Sequence, residues 1–197
     1  MKKIKKEIVL VNFKFHSMNK ALFLDRDGII NEDFDYVFRK EDFKFKSGIF
    51  ELCRKANEKG FHIFVITNQA GIARGYYSER DFFKLTRWMV EEFKNHNCQI
   101  TKVYFCPYHP DHGNSKYKRV SNFRKPSPGM ISKAVKRYHI DLKNSILIGD
   151  QRTDVEAGIA AGVGQNLLLL NKKKDNQLVP SEATIISDLS QALDYLA

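Results

Sequence analysis

The sequence feature that most constrains the fold is the octapeptide ALFLDRDG at residues 21–28, where an apolar run leads directly into two acids and a glycine. Its four apolar residues predict a short buried strand. Asp25 and Asp27 are two positions apart, so their side chains point the same way if the strand continues. A polar turn is the more ordinary explanation. Open α/β sheets, however, bind ligands at the carboxyl ends of their strands, where two carboxylates could hold a cation or transfer protons.

Further apolar runs follow along the chain and alternate with segments of helical period. We predict buried strands at residues 61–66, 101–105, 145–150 and 166–170, and a weaker one at 184–186. Helices are predicted to begin at the N-caps Ser47, Ser78 and Ser127, then after Asp150, with a last one at 188–196. Strands that alternate with helices predict an α/β fold with a doubly wound, Rossmann-like parallel sheet and a crevice at the carboxyl ends of its strands.

Polar groups follow four of the predicted strands, directly or after a loop. They are the pair Asp25 and Asp27, then Thr67, Lys125 and Asp150. Because the carboxyl ends of parallel strands lie at one edge of a sheet, we expect these side chains to converge. Carboxylates from two strands can bind Mg²⁺, and a lysine and a hydroxyl opposite the metal would neutralise a bound phosphate. The glycine-containing loop TNQAGIARG at residues 67–75 adds backbone N–H groups that suit a phosphate.

The formal net charge of +10 is unevenly placed. Residues 1–20 contain six lysines and one glutamate, and residues 102–137 contain nine lysines and arginines and one aspartate. Such patches suit phosphates, on nucleic acid or on a small molecule. A solvated basic surface is the commoner explanation of charge runs in general.

Three cysteines without a CxxC pair argue against a disulfide framework and for a reducing compartment, so we expect a cytoplasmic protein. Residues 1–17 begin with lysines, but their apolar run IVLV is too short for the core of a signal peptide. We interpret them as a basic N-terminal extension that precedes a single domain over residues 18–197. No apolar stretch in the sequence is long enough to span a membrane.

The order of these motifs resembles the haloacid dehalogenase superfamily of phosphohydrolases. The match covers residues 21–170 through DRDG, TNQ, RKP and GDxxxD in that order. Within the superfamily, the motifs look most like the heptose bisphosphate phosphatases, with the histidinol-phosphatases as the sister group. The resemblance implies a Mg²⁺-dependent phosphomonoester hydrolase acting on a small sugar phosphate. The short distances between the motifs leave room for only a minimal cap, and we expect a monomer.

The resemblance also implies a role for each matching residue. Asp25 would be the nucleophile that forms an aspartyl phosphate, and Asp27 would protonate the leaving oxygen and then activate water. Mg²⁺ would be held by the Asp25 carboxylate, the Asp27 backbone carbonyl and Asp150. Thr67 and Lys125 would steady the phosphoryl group. The substrate would contact Arg26, Asp33, Phe34, Asp35, Tyr36, Asn68, Gln69, Ala70 and Arg124.

The sequence departs from the family pattern in two places. Many relatives carry zinc ligands in a CxH and a CxC motif before RKP, and here those positions are Cys106, Tyr108, Ser121 and Phe123. A structural zinc is therefore not expected, and Phe123 and Tyr108 are expected to hold this loop by packing. Gln151 follows Asp150 where the heptose enzymes often have lysine, which weakens the assignment of a second phosphate.

Two alternatives from other classes stay open. A polynucleotide 3′-phosphatase shares the TNQxGIxRG motif and would suit a basic protein, but no aromatic platform for single strands stands out, so we expect no nucleic-acid partner. A catalytically silent scaffold is the other alternative, although it has no physical need for several carboxylates in one crevice.

Overall fold

The computed structural model describes residues 18–170 and 179–196. They form one six-stranded parallel sheet with the strand order β3-β2-β1-β4-β5-β6. Its strands are β1 (Ala21–Leu24), β2 (His62–Asn68), β3 (Ile100–Cys106), β4 (Ile146–Gly149), β5 (Gln165–Leu169) and β6 (Ala183–Ile186). The α-helices are α1 (Ile49–Glu58), α2 (Ala70–Ala73), α3 (Glu79–Asn95), α4 (Gly129–Tyr138) and α5 (Arg152–Ala161). The predicted doubly wound α/β fold is confirmed.

Strand β1 lies inside the sheet, and all four of its side chains are fully buried. Leu22 pairs with Ile63 of β2 on one side and with Ile146 of β4 on the other. Leu22 and Leu24 belong to the hydrophobic cluster on one face of the sheet, while Phe23 belongs to the cluster on the opposite face. The first four residues of the octapeptide are therefore all apolar because their strand is covered on both faces.

The predicted N-cap at Ser78 is confirmed, and it forms a capping box at the start of α3. Ser78 accepts from the Asp81 backbone N–H, and Asp81 accepts in return from the Ser78 N–H. The predicted caps at Ser47 and Ser127 are wrong. Helix α1 follows Gly48, which has a φ of 81°, and α4 follows Pro128, without a side-chain cap at either site. Ser127 instead closes the preceding turn through its N–H.

The prediction from the sequence was also wrong for two short helices. Residues 70–73, predicted as part of a polar loop, form the single turn of α2. The predicted final helix is a 3₁₀ helix over Leu189–Tyr195, whose N-cap Asp188 accepts from the Ser190 N–H at 2.8 Å. Its buried residues Leu189 and Ala192 are three positions apart, which matches the three residues per turn of a 3₁₀ helix.

Two long connections lie above the sheet. Within residues 18–170, the segments 25–48 and 107–128 each follow the carboxyl end of a strand and contain only isolated bridges. The second segment is held partly by Phe123, which packs on the hydrophobic core, and by Tyr108, whose ring centroid lies 3.7 Å from the Arg119 guanidinium. Neither segment builds a separate cap domain, so the sheet edge stays open.

No helix among the described residues has the length and apolar character needed to cross a membrane. The basic extension expected at residues 1–17 lies outside the described residues.

Candidate active site

Asp25 directly follows the central strand β1, and its backbone N–H still bonds to the Ile148 carbonyl of β4 at 3.1 Å. Its carboxylate oxygen Oδ1 accepts from the Arg26 N–H at 2.7 Å and lies 2.9 Å from Nζ of Lys125. The residue is only 8% exposed. Burial raises the pKa of Asp25 well above its usual range; Lys125 opposes this shift, and Asp154 and Asp150 add to it.

Lys125 enters the site from the loop before α4. Its buried ammonium contacts three acceptors, which are Asp25 Oδ1 at 2.9 Å, Asp154 Oδ1 at 2.6 Å and the Ile66 carbonyl at 2.9 Å. Burial by itself would lower the pKa of Lys125, but Asp154 and Asp25 outweigh it and raise that pKa. Lys125 is therefore a permanent cation that is matched to two carboxylates.

Asp154 is a site residue that our candidate list missed. It is 1% exposed, and its second oxygen, Oδ2, accepts from the Gln151 N–H at 3.0 Å at the start of α5. The signal was present in the spacing GDxxxD, because the fourth residue after a strand end falls in the first turn of the following helix. That turn faces the same sheet edge as the strand end itself.

Asp150 completes a group of three carboxylates. Among the described residues, Asp25, Asp150 and Asp154 are the only acidic, histidine or cysteine group close enough to hold a metal, with one ligand atom of each within 4.8 Å of the others. Gly28 makes room for Asp150, since a Cβ on Gly28 would lie 2.3 Å from the Asp150 Cγ. Oxygen ligands of this kind fit Mg²⁺. Both oxygens of Asp154 have partners, which are Lys125 and the Gln151 N–H, and Asp150 Oδ2 accepts from Gln151 Nε2 at 3.2 Å.

Asp27 sits beside Asp25 in a cradle of hydrogen-bond donors. Its Oδ1 accepts from Arg26 Nη2 at 2.8 Å, from Arg26 Nε at 3.2 Å and from Asn31 Nδ2 at 3.1 Å. Its Oδ2 accepts from Gln69 Nε2 at 3.0 Å. These contacts fix the carboxyl group within the polar cleft.

Three consecutive polar residues, Thr67, Asn68 and Gln69, lie at the end of strand β2 and directly after it. Thr67 is 1% exposed, and its hydroxyl oxygen accepts from Gln69 Nε2 at 2.8 Å. The Asn68 amide exchanges two hydrogen bonds of 3.1 Å with the backbone N–H and carbonyl of Lys125. The amide of Asn68 thus ties the Lys125 loop to the sheet.

These groups surround a cleft of about 240 Å³ at the carboxyl edge of the sheet. Most of the predicted site residues line it, namely Asp25, Asp27, Asp33, Asp35, Tyr36, Asn68, Gln69, Ala70, Lys125 and Asp150. Four lining residues were not predicted as site residues, namely Tyr77, Gln151, Thr153 and Asp154. Convergence of distant strand ends, which the alternating pattern predicted, is what brings these residues together.

Four predicted site residues do not line the cleft. Thr67 is 1% exposed and contacts the lining residue Gln69, and Phe34 is 60% exposed. Arg124 is half-buried and donates to the Tyr108 carbonyl at 3.4 Å. Arg26 is corrected most clearly, because it is 1% exposed and its Nη2 donates to the Val37 carbonyl at 2.6 Å. Arg26 therefore orients Asp27 and its loop instead of contacting substrate.

Comparison with known proteins identifies the family of this chain. A family model described as HAD-hydrolase-like matches residues 122–192. The D-glycero-alpha-D-manno-heptose-1,7-bisphosphate 7-phosphatase of Burkholderia mallei is 50% identical over 85% of this chain and 88% of its own length. The protein of the same name from Campylobacter jejuni is 47% identical over 79% and 86%. The D-glycero-beta-D-manno-heptose-1,7-bisphosphate 7-phosphatase of Vibrio cholerae is 40% identical over 85% of this chain and 90% of its own length.

Solved structures give the same result. A HAD-like phosphatase from Mesorhizobium loti superposes with a TM-score of 0.81 and 32% identity, covering 91% of this chain and 85% of that one. The D,D-heptose 1,7-bisphosphate phosphatase of B. bronchiseptica, solved with magnesium and phosphate, gives a TM-score of 0.78 and 25% identity over 90% and 97%. This chain therefore belongs to the haloacid dehalogenase (HAD) superfamily and is a phosphatase of the family that the heptose-bisphosphate 7-phosphatases form.

Proposed function

We propose that this phosphatase is Mg²⁺-dependent and removes the 7-phosphate of D-glycero-D-manno-heptose 1,7-bisphosphate through an aspartyl-phosphate intermediate. The observation that carries the proposal is the Asp25 carboxylate, which stands at the carboxyl end of the central strand, 2.9 Å from the Lys125 ammonium and inside the cleft.

In the first step, a carboxylate oxygen of Asp25 attacks phosphorus and the bond between phosphorus and the C7 oxygen breaks. The leaving oxygen takes a proton from the Asp27 carboxyl group. Lys125 offsets part of the negative charge of the phosphoryl group that Asp25 attacks. Asp27 is suited to the proton transfer because its carboxyl group lines the same cleft as Asp25.

In the second step, water attacks the phosphorus of the aspartyl phosphate while the Asp27 carboxylate accepts its proton. The bond between phosphorus and the Asp25 oxygen breaks, which restores Asp25 and releases inorganic phosphate. Thr67 and the Lys125 ammonium are proposed to steady the transferred group in both steps.

The residues that would hold Mg²⁺ are Asp25 and Asp150 through their carboxylates and Asp27 through its backbone carbonyl. When bound, Mg²⁺ would neutralise the phosphoryl oxygens as their charge develops. The carboxylates of Asp25, Asp150 and Asp154 lie close together, and the Lys125 ammonium contacts two of them, Asp25 and Asp154. Their mutual repulsion gives the site a physical reason to bind a divalent metal.

The choice of the heptose bisphosphate rests on the relatives that carry this name at 40 to 50% identity. Their names include both alpha and beta anomers, so the assay must include both. Histidinol phosphate and a 3′-phosphorylated oligonucleotide are the competing substrates to compare. A cytoplasmic location and a monomeric state stay predictions of the sequence.

The test is phosphate release by the purified protein with Mg²⁺ from these four substrates. We expect the highest kcat/KM with one heptose bisphosphate anomer and complete loss of release in Asp25→Asn. A higher kcat/KM with histidinol phosphate or the oligonucleotide would overturn the substrate assignment. Failure of the metal-loaded protein to hydrolyse any small phosphomonoester would overturn the proposed function as a whole.

A further inference from the structure

The side chain of Gln69 is fully committed to protein partners. It is 1% exposed, and its Nε2 donates both to Asp27 Oδ2 at 3.0 Å and to the Thr67 hydroxyl at 2.8 Å. Its Oε1 accepts from the Tyr77 hydroxyl at 2.6 Å. An amide with these three bonds has used both of its N–H donors. The expected contact between the Gln69 side chain and substrate therefore has no free donor to make it.

The direction of the Gln69 amide follows from its neighbours. A carboxylate can only accept, so the amide nitrogen has to face Asp27. Burial raises the pKa of Tyr77, which keeps its hydroxyl protonated and available to donate to the amide oxygen. Tyr77 is 7% exposed and stacks on Phe38 with a centroid distance of 5.1 Å. A fixed tyrosine thus fixes the amide.

The two oxygens of Asp27 are held differently. Oδ1 receives three hydrogen bonds, two from Arg26 and one from Asn31. Among the hydrogen bonds between described residues, Oδ2 receives only the one from Gln69. A carboxyl oxygen that already accepts three donors is poorly placed to carry a proton, because the proton would meet those donors. Oδ2 is therefore the oxygen that can carry and transfer one.

We propose that Tyr77 and Gln69 are positioning residues that present Oδ2 of Asp27 as the proton-transferring oxygen. This inference rests on the proposed function, since it assumes that Asp27 acts as the acid. Gln69 leaves Oδ2 in a single orientation at the cleft, and Tyr77 prevents the amide from turning its oxygen towards Asp27. Loss of the Tyr77 hydroxyl should impair proton transfer to the leaving oxygen while attack by Asp25 is retained.

The experiment compares two leaving groups in Tyr77→Phe. The leaving group of a sugar phosphate is an alkoxide that needs a proton, whereas the leaving group of 4-nitrophenyl phosphate needs none. We expect kcat/KM for heptose bisphosphate to fall about fivefold, the effect of one hydrogen bond, and kcat/KM for 4-nitrophenyl phosphate to stay within about twofold of wild type. Because kcat/KM reports the steps up to departure of the leaving group, the later use of Asp27 does not enter.

Tyr104→Phe is the matched control. Tyr104 is also 7% exposed but belongs to the cluster on the other face of the sheet, away from the cleft. The Tyr104→Phe variant should keep kcat/KM within about twofold of wild type for both substrates. Gly71→Ala is the second variant, because a Cβ there would lie 2.2 Å from Tyr77 Cε1 and displace the ring without removing its hydroxyl. It should show the same selective loss with the sugar phosphate.

An equal loss with both leaving groups in folded Tyr77→Phe would mean a merely structural role and would overturn the inference. So would an unchanged kcat/KM for the sugar phosphate. If the wild type prefers another alkyl phosphate, the proposed substrate fails, but the comparison with 4-nitrophenyl phosphate is then made with that alkyl phosphate. The two failures are thus distinguishable.

Discussion

Nζ of Lys125 lies 2.6 Å from Oδ1 of Asp154, a residue in the first turn of helix α5. Both side chains are 2% exposed. The same ammonium reaches the proposed nucleophile Asp25 at 2.9 Å, so Asp154 acts on Asp25 through Lys125. Asp154 thereby helps to hold the Lys125 ammonium beside Asp25.

Asp154→Asn is expected to lower kcat/KM about 100-fold, in the range seen when one electrostatic group of an active site is removed. The buried ammonium loses one of its two charged partners, so the free energy of unfolding should fall by about 2 kcal/mol. Steady-state kinetics and urea unfolding measure the two effects.

Glu156→Gln is the control on the same helix. Glu156 pairs with Arg152 at 2.6 Å on the surface, and the side chains are 30% and 48% exposed. Its loss should change neither activity nor stability measurably. Wild-type kcat/KM in Asp154→Asn would contradict the role assigned to Asp154.

Gly28→Ala should weaken metal binding without removing any ligand. The added Cβ would lie 2.3 Å from Asp150 Cγ, so the carboxylate has to move. We expect the Mg²⁺ dissociation constant to rise at least about tenfold, because oxygen positions around Mg²⁺ tolerate little displacement. Titration calorimetry measures this constant directly.

Gly60→Ala separates backbone strain from the clash. Gly60 has a φ of +80°, close to the +89° of Gly28, but no atom lies within 4 Å of its would-be Cβ. Both variants should lose about 1 kcal/mol of stability from the left-handed backbone. Only Gly28→Ala should lose Mg²⁺ affinity, and equal affinities in the two variants would count against Asp150 as a ligand.

Arg26→Gln tests the corrected role of Arg26. Asp27 loses its charged partner in a buried setting, so the free energy of unfolding should fall by about 3 kcal/mol. Since Arg26 orients the proposed acid, kcat should fall while KM changes little. A substrate-binding arginine would instead give a raised KM.

Arg39→Gln provides the comparison, because Arg39 is exposed and rests on the Phe38 ring at 5.0 Å from its centroid. It should behave like the wild type in both assays.

The sequence predicted the sheet because the apolar runs are long and clearly separated, and β1 is buried on both faces as its composition indicated. It also predicted which strand ends carry the site, since a parallel sheet places all of these ends at one edge. What sequence reasoning could not supply was the direction of each side chain. Arg26 follows Asp25 in the chain, yet only the structure reveals that its buried guanidinium binds both Asp27 and the Val37 carbonyl.

The predicted starts of helices α1 and α4 were wrong for a local reason. Ser47 and Ser127 have the residue type of an N-cap, but in the structure the N-cap is the residue that follows each of them. Gly48 and Pro128 each shift the first helical residue one position onward. The exact first residue of a helix depends on backbone angles, which a residue pattern does not determine.

Trapping the covalent intermediate tests the central claim most directly. The wild-type protein is mixed with heptose bisphosphate and Mg²⁺, quenched during turnover, and reduced with borohydride, which converts an aspartyl phosphate to homoserine. Trypsin then releases the peptide ALFLDR at residues 21–26, in which Asp25 is the one acid. We predict homoserine in place of Asp25 in this peptide, and only when substrate is present. Turnover with the peptide unmodified, or homoserine at another aspartate, would contradict the account.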